Sequence, residues 1–114
     1  MLAARACYDL KAEDLVILEV TGITTIADYF VICSGTSQAH LRAVATEVMK
    51  RLKEHRTRPL GQEGFRDTSW ILLDFGDVVV HVFSSGSRQF YSLETLWGDA
   101  KRIPAQEAPS QNQG

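Results

Sequence analysis

Short β-branched apolar runs alternate with one long amphipathic stretch, and this pattern predicts most of the elements. Leu15-Val16-Ile17-Leu18-Glu19-Val20 is almost continuously apolar, short, and closed by Thr21-Gly22. It therefore predicts a buried strand. Tyr29-Phe30-Val31-Ile32-Cys33 predicts a second strand, ended by the polar run Ser34-Gly35-Thr36-Ser37. From residue 38 the period changes. Leu41, Val44, Ala45, Val48 and Leu52 fall on one face of a helix over residues 38–54, the spacing of an amphipathic helix. Thr36 or Ser37 can cap it, because a side-chain oxygen there accepts an otherwise unpaired backbone N–H.

The same reading gives a short helix over residues 3–10, from three alanines and Leu10, since alanine is the strongest helix former. Trp70-Ile71-Leu72-Leu73-Asp74-Phe75 and Val78-Val79-Val80-His81-Val82-Phe83 flank Gly76-Asp77 and predict a hairpin with a Gly-first tight turn. Residues 88–98, with Phe90, Tyr91, Leu93, Leu96 and Trp97, predict one or two helical turns ending near Gly98. A further short strand is possible near Arg58-Pro59-Leu60. Residues 104–114 hold no large apolar residue and are expected to be disordered, so the folded domain is expected to span residues 1–103. No internal repeat is visible. The order α-β-β-α-β-β-α implies a single α/β domain, a mixed β-sheet with helices packed on it.

The hairpin register has a consequence. With Gly76 and Asp77 as turn residues, Phe75 pairs with Val78, Leu73 with Val80 and Ile71 with Val82, an all-apolar face. The other face carries Trp70, Leu72, Asp74, Val79, His81 and Phe83. Large aromatics beside a carboxylate and an imidazole suit a partner surface, where aromatics supply area and polar groups fix register. The alternative is that another helix covers this face and His81 is a satisfied, semi-buried histidine. A three-residue turn would regroup the two faces.

Composition narrows the class. At 114 residues, 45% hydrophobic and 23% charged, the chain is neither collagen-like nor wholly disordered. Its formal charge is −2, so no global basic excess draws it to nucleic acid or anionic membrane. Residues 1–58 carry 8 cations and 7 acids, residues 59–114 carry 4 and 7, a slightly basic half followed by an acidic one. Cys7 and Cys33 have no CxxC spacing, and His55 and His81 lie far from both. Reduced thiols in the cytoplasm, and no metal, are expected. No apolar run approaches the ~18 residues of a membrane span, and no secretory signal is evident at the start.

Three stretches invite chemistry. Ser34-Gly35-Thr36-Ser37 lies between a strand and a helix, where backbone amides can hold phosphate, and resembles the Gly-Ser turn of nucleotidyltransferases. Those enzymes need closely spaced carboxylates for magnesium. The next acid is Glu47, and no Asp-x-Asp exists, so the loop reads better as a turn and cap. Ser34, His40, His81, Asp74 and Asp77 could supply a hydrolase triad, but there is no Gly-x-Ser-x-Gly elbow and Cys33 has no basic setting. Nucleophilic catalysis is not expected. Lys50, Arg51, Lys53, Arg56 and Arg58 cluster around His55; they read as a solvated helix end or as a minor contact to RNA. Phe90 to Trp97 reads as a helix docked on the sheet or as a dimer or partner surface.

Three motifs in order carry a family resemblance. Asp28-Tyr29-Phe30-Val31-Ile32-Cys33-Ser34-Gly35-Thr36-Ser37, followed by His40 and Ala43, resembles the first signature of the ribosomal silencing factor, or Iojap, family. Residues 70–83 are similar to its second and residues 88–100 to its third; with Lys11-Ala12-Glu13-Asp14 the match covers about residues 3–102. The resemblance implies a fold related to nucleotidyltransferases, without enzymatic activity or cofactor. It implies binding to the large ribosomal subunit through its fourteenth protein, with small-subunit joining obstructed when nutrients run short. Organelle relatives aid large-subunit biogenesis, and homodimers are common in isolation. The motif positions carried over are Trp70, Asp74, Asp77, His81, Arg88, Tyr91, Leu93, Glu94, Leu96 and Trp97. The Trp70/Leu72/His81 face and residues 91–97 are expected to form most of the ribosomal-protein contact. Ser84-Ser85-Gly86-Ser87 departs from the more acidic connection of the family, which argues against an acid-mediated contact from that loop but not against the assignment.

Overall fold

A computed structural model describes residues 1–64, 69–84 and 101–103. The chain runs α1 (Leu2–Asp9), β1 (Glu13–Glu19), β2 (Tyr29–Gly35), α2 (Gln38–Glu54), β3 (Gly61–Glu63), β4 (Trp70–Asp74), β5 (Val78–Ser84) and β6 (Lys101–Arg102). The strands form one sheet in the order β3-β4-β5-β2-β1-β6. Its central pair, β2 and β5, is parallel, from Tyr29 opposite Val78 to Gly35 opposite Ser84. The other pairs are antiparallel. The sheet is thus mixed, in an α/β domain, as the alternation of periods predicts.

The hairpin has the expected register. Ile71 faces Val82 and Leu73 faces Val80, and the Phe75 N–H donates to the Val78 carbonyl at 2.9 Å. Gly76 takes φ +89, whereas Asp77 does not enter the left-handed region, the pattern of a II′ turn with glycine first. The Asp74 carboxylate accepts the Gly76 N–H at 2.8 Å and so serves the turn.

Strand alternation divides the core into two layers. Val31, Cys33, Ile71, Leu73, Val80 and Val82 pack against Ala3, Ala4, Ala6 and Cys7 of α1 and the apolar stripe of α2. On the opposite face Leu18, Phe30, Ile32, Val79 and Phe83 form a second cluster with Trp70 and Leu72. Both described helices lie on the first face. The nearly continuous apolar pattern of β1 and β2 is explained, because these strands are buried on both sides.

The edges depart from expectation. The extra strand occupies Gly61–Glu63, not Arg58–Leu60. Pro59 has no N–H to give a ladder, and pairing starts only at Leu60, whose N–H donates to the Asp74 carbonyl. Strand β6 is unforeseen; two charged residues carry no apolar period. It is held by backbone pairing to Leu18 and Glu19 and by the Ile103 N–H donating to the Ile17 carbonyl at 2.9 Å. The helical turns expected over 88–98 and the disordered tail expected over 104–114 lie outside the described residues.

Candidate functional site: an aromatic–histidine face

Trp70 and Leu72 on β4 and His81 and Phe83 on β5 share one face, because Trp70 lies opposite Phe83 and Leu72 opposite His81. The Trp70 indole N–H donates to His81 Nδ1 at 3.2 Å. Trp70 also stacks on Phe83, centroids 5.2 Å apart, and Phe30 of β2 meets the imidazole edge-on at 5.0 Å. Since His81 Nδ1 accepts, the ring proton of the neutral form sits on Nε2. Among the described residues that buried nitrogen has no hydrogen-bond partner. Burial pushes the His81 pKa down to about 4, so the imidazole is neutral at physiological pH.

This arrangement decides part of the sequence reading. His81 is 5% exposed, with one nitrogen satisfied and the other unpartnered among the described residues. Trp70, Leu72 and Asp74 are half-buried, so they present more surface than the buried imidazole on the same face. Arg88, Tyr91, Leu93, Glu94, Leu96 and Trp97 lie outside the described residues.

The strand-to-helix loop is consumed internally. Ser37 is the cap: its hydroxyl accepts the His40 N–H at 3.0 Å, and its carbonyl accepts the Leu41 N–H. The Thr36 N–H donates to His40 Nδ1 at 2.9 Å. With Nδ1 accepting, His40 Nε2 carries the proton and donates to the Leu10 carbonyl at 2.8 Å. One imidazole thus ties the loop, α2 and the end of α1 together. The sequence reading missed this role, although a histidine three residues after a capping serine was a visible signal. Gly35 is required by close approach: a Cβ there would sit 3.0 Å from the Leu41 nitrogen. Two amides of this turn, those of Thr36 and His40, are therefore spent on the His40 ring and on the cap.

No assembled chemistry appears among the described residues. Asp74 is turned to its own hairpin. His40 is engaged beside α1, and His81 lies on the opposite sheet face. No group of three or more His, Cys, Asp or Glu side chains is placed to hold a metal among the described residues. Cys7 and Cys33 are buried and free. Their mutual hydrogen bond and burial raise the Cys7 pKa well above its usual value, which keeps it a protonated, unreactive thiol. Among the described residues no helix is long and apolar enough to cross a membrane.

These features define a small α/β domain with helices on one sheet face and an aromatic–histidine cluster on the other. Comparison with known proteins places it further. Residues 1–114 match the family described as "Ribosomal silencing factor during starvation". The chain is 46% identical over 99 residues to ribosomal silencing factor RsfS of Bacillus subtilis, covering 87% of this chain and 84% of that one. A crystal structure of a Chromobacterium violaceum protein superposes with a TM-score of 0.83 at 36% identity, covering 91% and 87% of the two chains. A mouse relative, "Mitochondrial assembly of ribosomal large subunit protein 1", is 36% identical over 90 residues, spanning 76% of this chain and 40% of that one. The chain belongs to the ribosomal silencing factor family.

Proposed function

We propose that this protein is a translation regulator of the cytoplasm that binds the large ribosomal subunit and sterically blocks joining of the small subunit. The observation that carries this reading is the family match along residues 1–114. The contact is to the fourteenth large-subunit protein, through Trp70, Leu72 and Asp74 and the adjoining motif residues Arg88, Tyr91, Leu93, Glu94, Leu96 and Trp97. His81 supports Trp70 from beneath. The free protein is a homodimer. No catalysis, metal or cofactor is needed: a body measuring 34 × 33 × 24 Å excludes a partner from any surface it covers. Repression then depends on occupancy, hence on affinity and concentration.

The test is sedimentation of purified subunits with and without the protein. It should travel with large subunits and reduce the joined-ribosome peak. Failure to bind, or binding with joining intact, refutes the blocking mechanism. The mouse relative's name favours a second reading, assembly of the large subunit without silencing. Depletion that accumulates large-subunit precursors and leaves starved-cell translation unchanged would select it.

A further inference from the structure

The outward side of α2 is electrically lopsided. At about 100° per residue, Arg42, Lys53 and Lys50 fall within an arc of about 80°, while Glu47 and Glu54 lie on the adjoining flank. All three cations are exposed. On that flank Glu47 is paired, while exposed Glu54 has no ion pair among the described residues. Arg51 donates to Glu47 at 2.7 Å and to Asp9 of α1 at 2.7 Å. Among the described residues, no such partner meets Arg42, Lys50 or Lys53. Arg42 and Lys53 are eleven residues apart, about 16 Å along the axis.

The helix end adds an independent observation. The Thr57 N–H donates to the Leu52 carbonyl and the Arg56 N–H to the Lys53 carbonyl, the bond pair of a Schellman motif. Its left-handed position is filled by Arg56, at φ +62. Glycine is the favoured residue there, and a Cβ costs free energy in that conformation. An exposed arginine thus occupies a position that local geometry would give to glycine, continuing the line of cations past the helix. Exposed Lys11 and Asp14 also take positive φ; what distinguishes Arg56 is its place directly beyond the α2 cations.

We propose that Arg42, Lys50, Lys53 and Arg56 form a contact for RNA backbone phosphates. The charge matches: guanidinium and ammonium groups, unpaired among the described residues, face outward from a chain whose net charge is only −2, so the clustering is local and not a general basicity. Phosphate contacts of this kind position a protein without reading sequence. The surface is on the helix side of the sheet, opposite the Trp70/Leu72 face. A molecule using both would sit in a recess between ribosomal protein and RNA. The inference takes RNA as the ligand from the ribosomal reading above, but it does not depend on blockage of joining.

The test measures binding of the full chain to protein-free large-subunit RNA and to intact large subunits across a salt series. Wild-type affinity for the RNA should fall with salt at a log–log slope of about 3, as expected for four phosphate contacts on a single-stranded backbone. Arg42→Gln/Lys50→Gln/Lys53→Gln, with circular dichroism unchanged, should weaken RNA binding at least about tenfold and flatten the slope by about 2. Arg56→Gly should weaken RNA binding severalfold while raising the urea midpoint; a merely structural arginine would lower it. Absence of RNA binding by the wild-type protein, or unchanged affinity and slope in the variants, overturns the proposal. Loss of subunit binding with RNA binding intact also overturns it, and assigns the stripe to an acidic protein surface. If the RNA contact holds but joining is unaffected, the blocking mechanism fails and the RNA site stands.

Discussion

Mild acid should loosen this fold through one imidazole. His81 is packed between Trp70, Phe30 and Phe83, and burial lowers its pKa to about 4, against ~6.5 in an unfolded chain. The unfolded state therefore takes up the proton first. The neutral ring's contribution is fully present above pH 6.5 and is lost as the pH falls toward 4. A gap of about 2.5 units corresponds to a ceiling of ~3 kcal/mol, of which about 2 kcal/mol is gone by pH 5. For a domain of this size that is a large share of the total stability. The assay is urea unfolding at pH 7, 6 and 5, followed by circular dichroism, on the wild type and on His81→Leu. Carboxylates titrate in both proteins, so the difference between the two profiles isolates the histidine. His81→Leu should start about 1 kcal/mol lower at pH 7, because the Trp70 indole loses that acceptor, and then lose less stability down to pH 5. Parallel profiles, or an NMR titration placing His81 near its ordinary value, would refute the reasoning.

Other perturbations separate the fold from its surface. Gly35→Ala should cost about 1–3 kcal/mol by urea unfolding, because its Cβ meets the Leu41 backbone and Cγ at 3.0–3.2 Å and α2 must shift outward. Ser37→Ala should cost about 1 kcal/mol through the lost cap, with no change in subunit binding. Trp70→Ala should reduce co-sedimentation with large subunits at native circular dichroism; a collapsed spectrum would make Trp70 a core residue. Gly64→Ala should destabilise severely, since Gly64 has φ +91 and its Cβ would collide with the Trp70 carbonyl; a native melting curve would contradict that contact.

Elements whose side chains alternate at a fixed period were legible in the sequence. The α2 stripe of Leu41, Val44, Ala45, Val48 and Leu52 is buried as the spacing predicts, and the hairpin register follows from Gly76-Asp77. The edges were not legible, because β3 and β6 are two or three residues long and owe their pairing to backbone groups that every residue carries. The second sheet face was visible as a list of residues, Trp70 to Phe83. Its depth was not, since periodicity reports which side a residue faces and not how much lies above it. His81 shows the difference: the alternation placed it, and only the packing shows that one ring nitrogen is shut away from water. The role of His40 was hidden for another reason. Its partner, the Leu10 carbonyl, is thirty residues distant, and backbone acceptors leave no trace in composition.

The parallel pairing at the centre of the sheet bears on how the chain reaches this structure. Hairpin β4–β5 and the antiparallel pair β1–β2 join segments adjacent along the chain and can form early. Joining them aligns Tyr29 with Val78, which brings together segments far apart along the chain and must be preceded by an unfavourable loss of loop entropy. Until that seam closes, Val31 and Val80, neighbours at its middle, present apolar edges to the solvent. The slow step in folding is therefore expected at the β2–β5 seam, and a chain whose seam has not closed is the one prone to pair with a second chain.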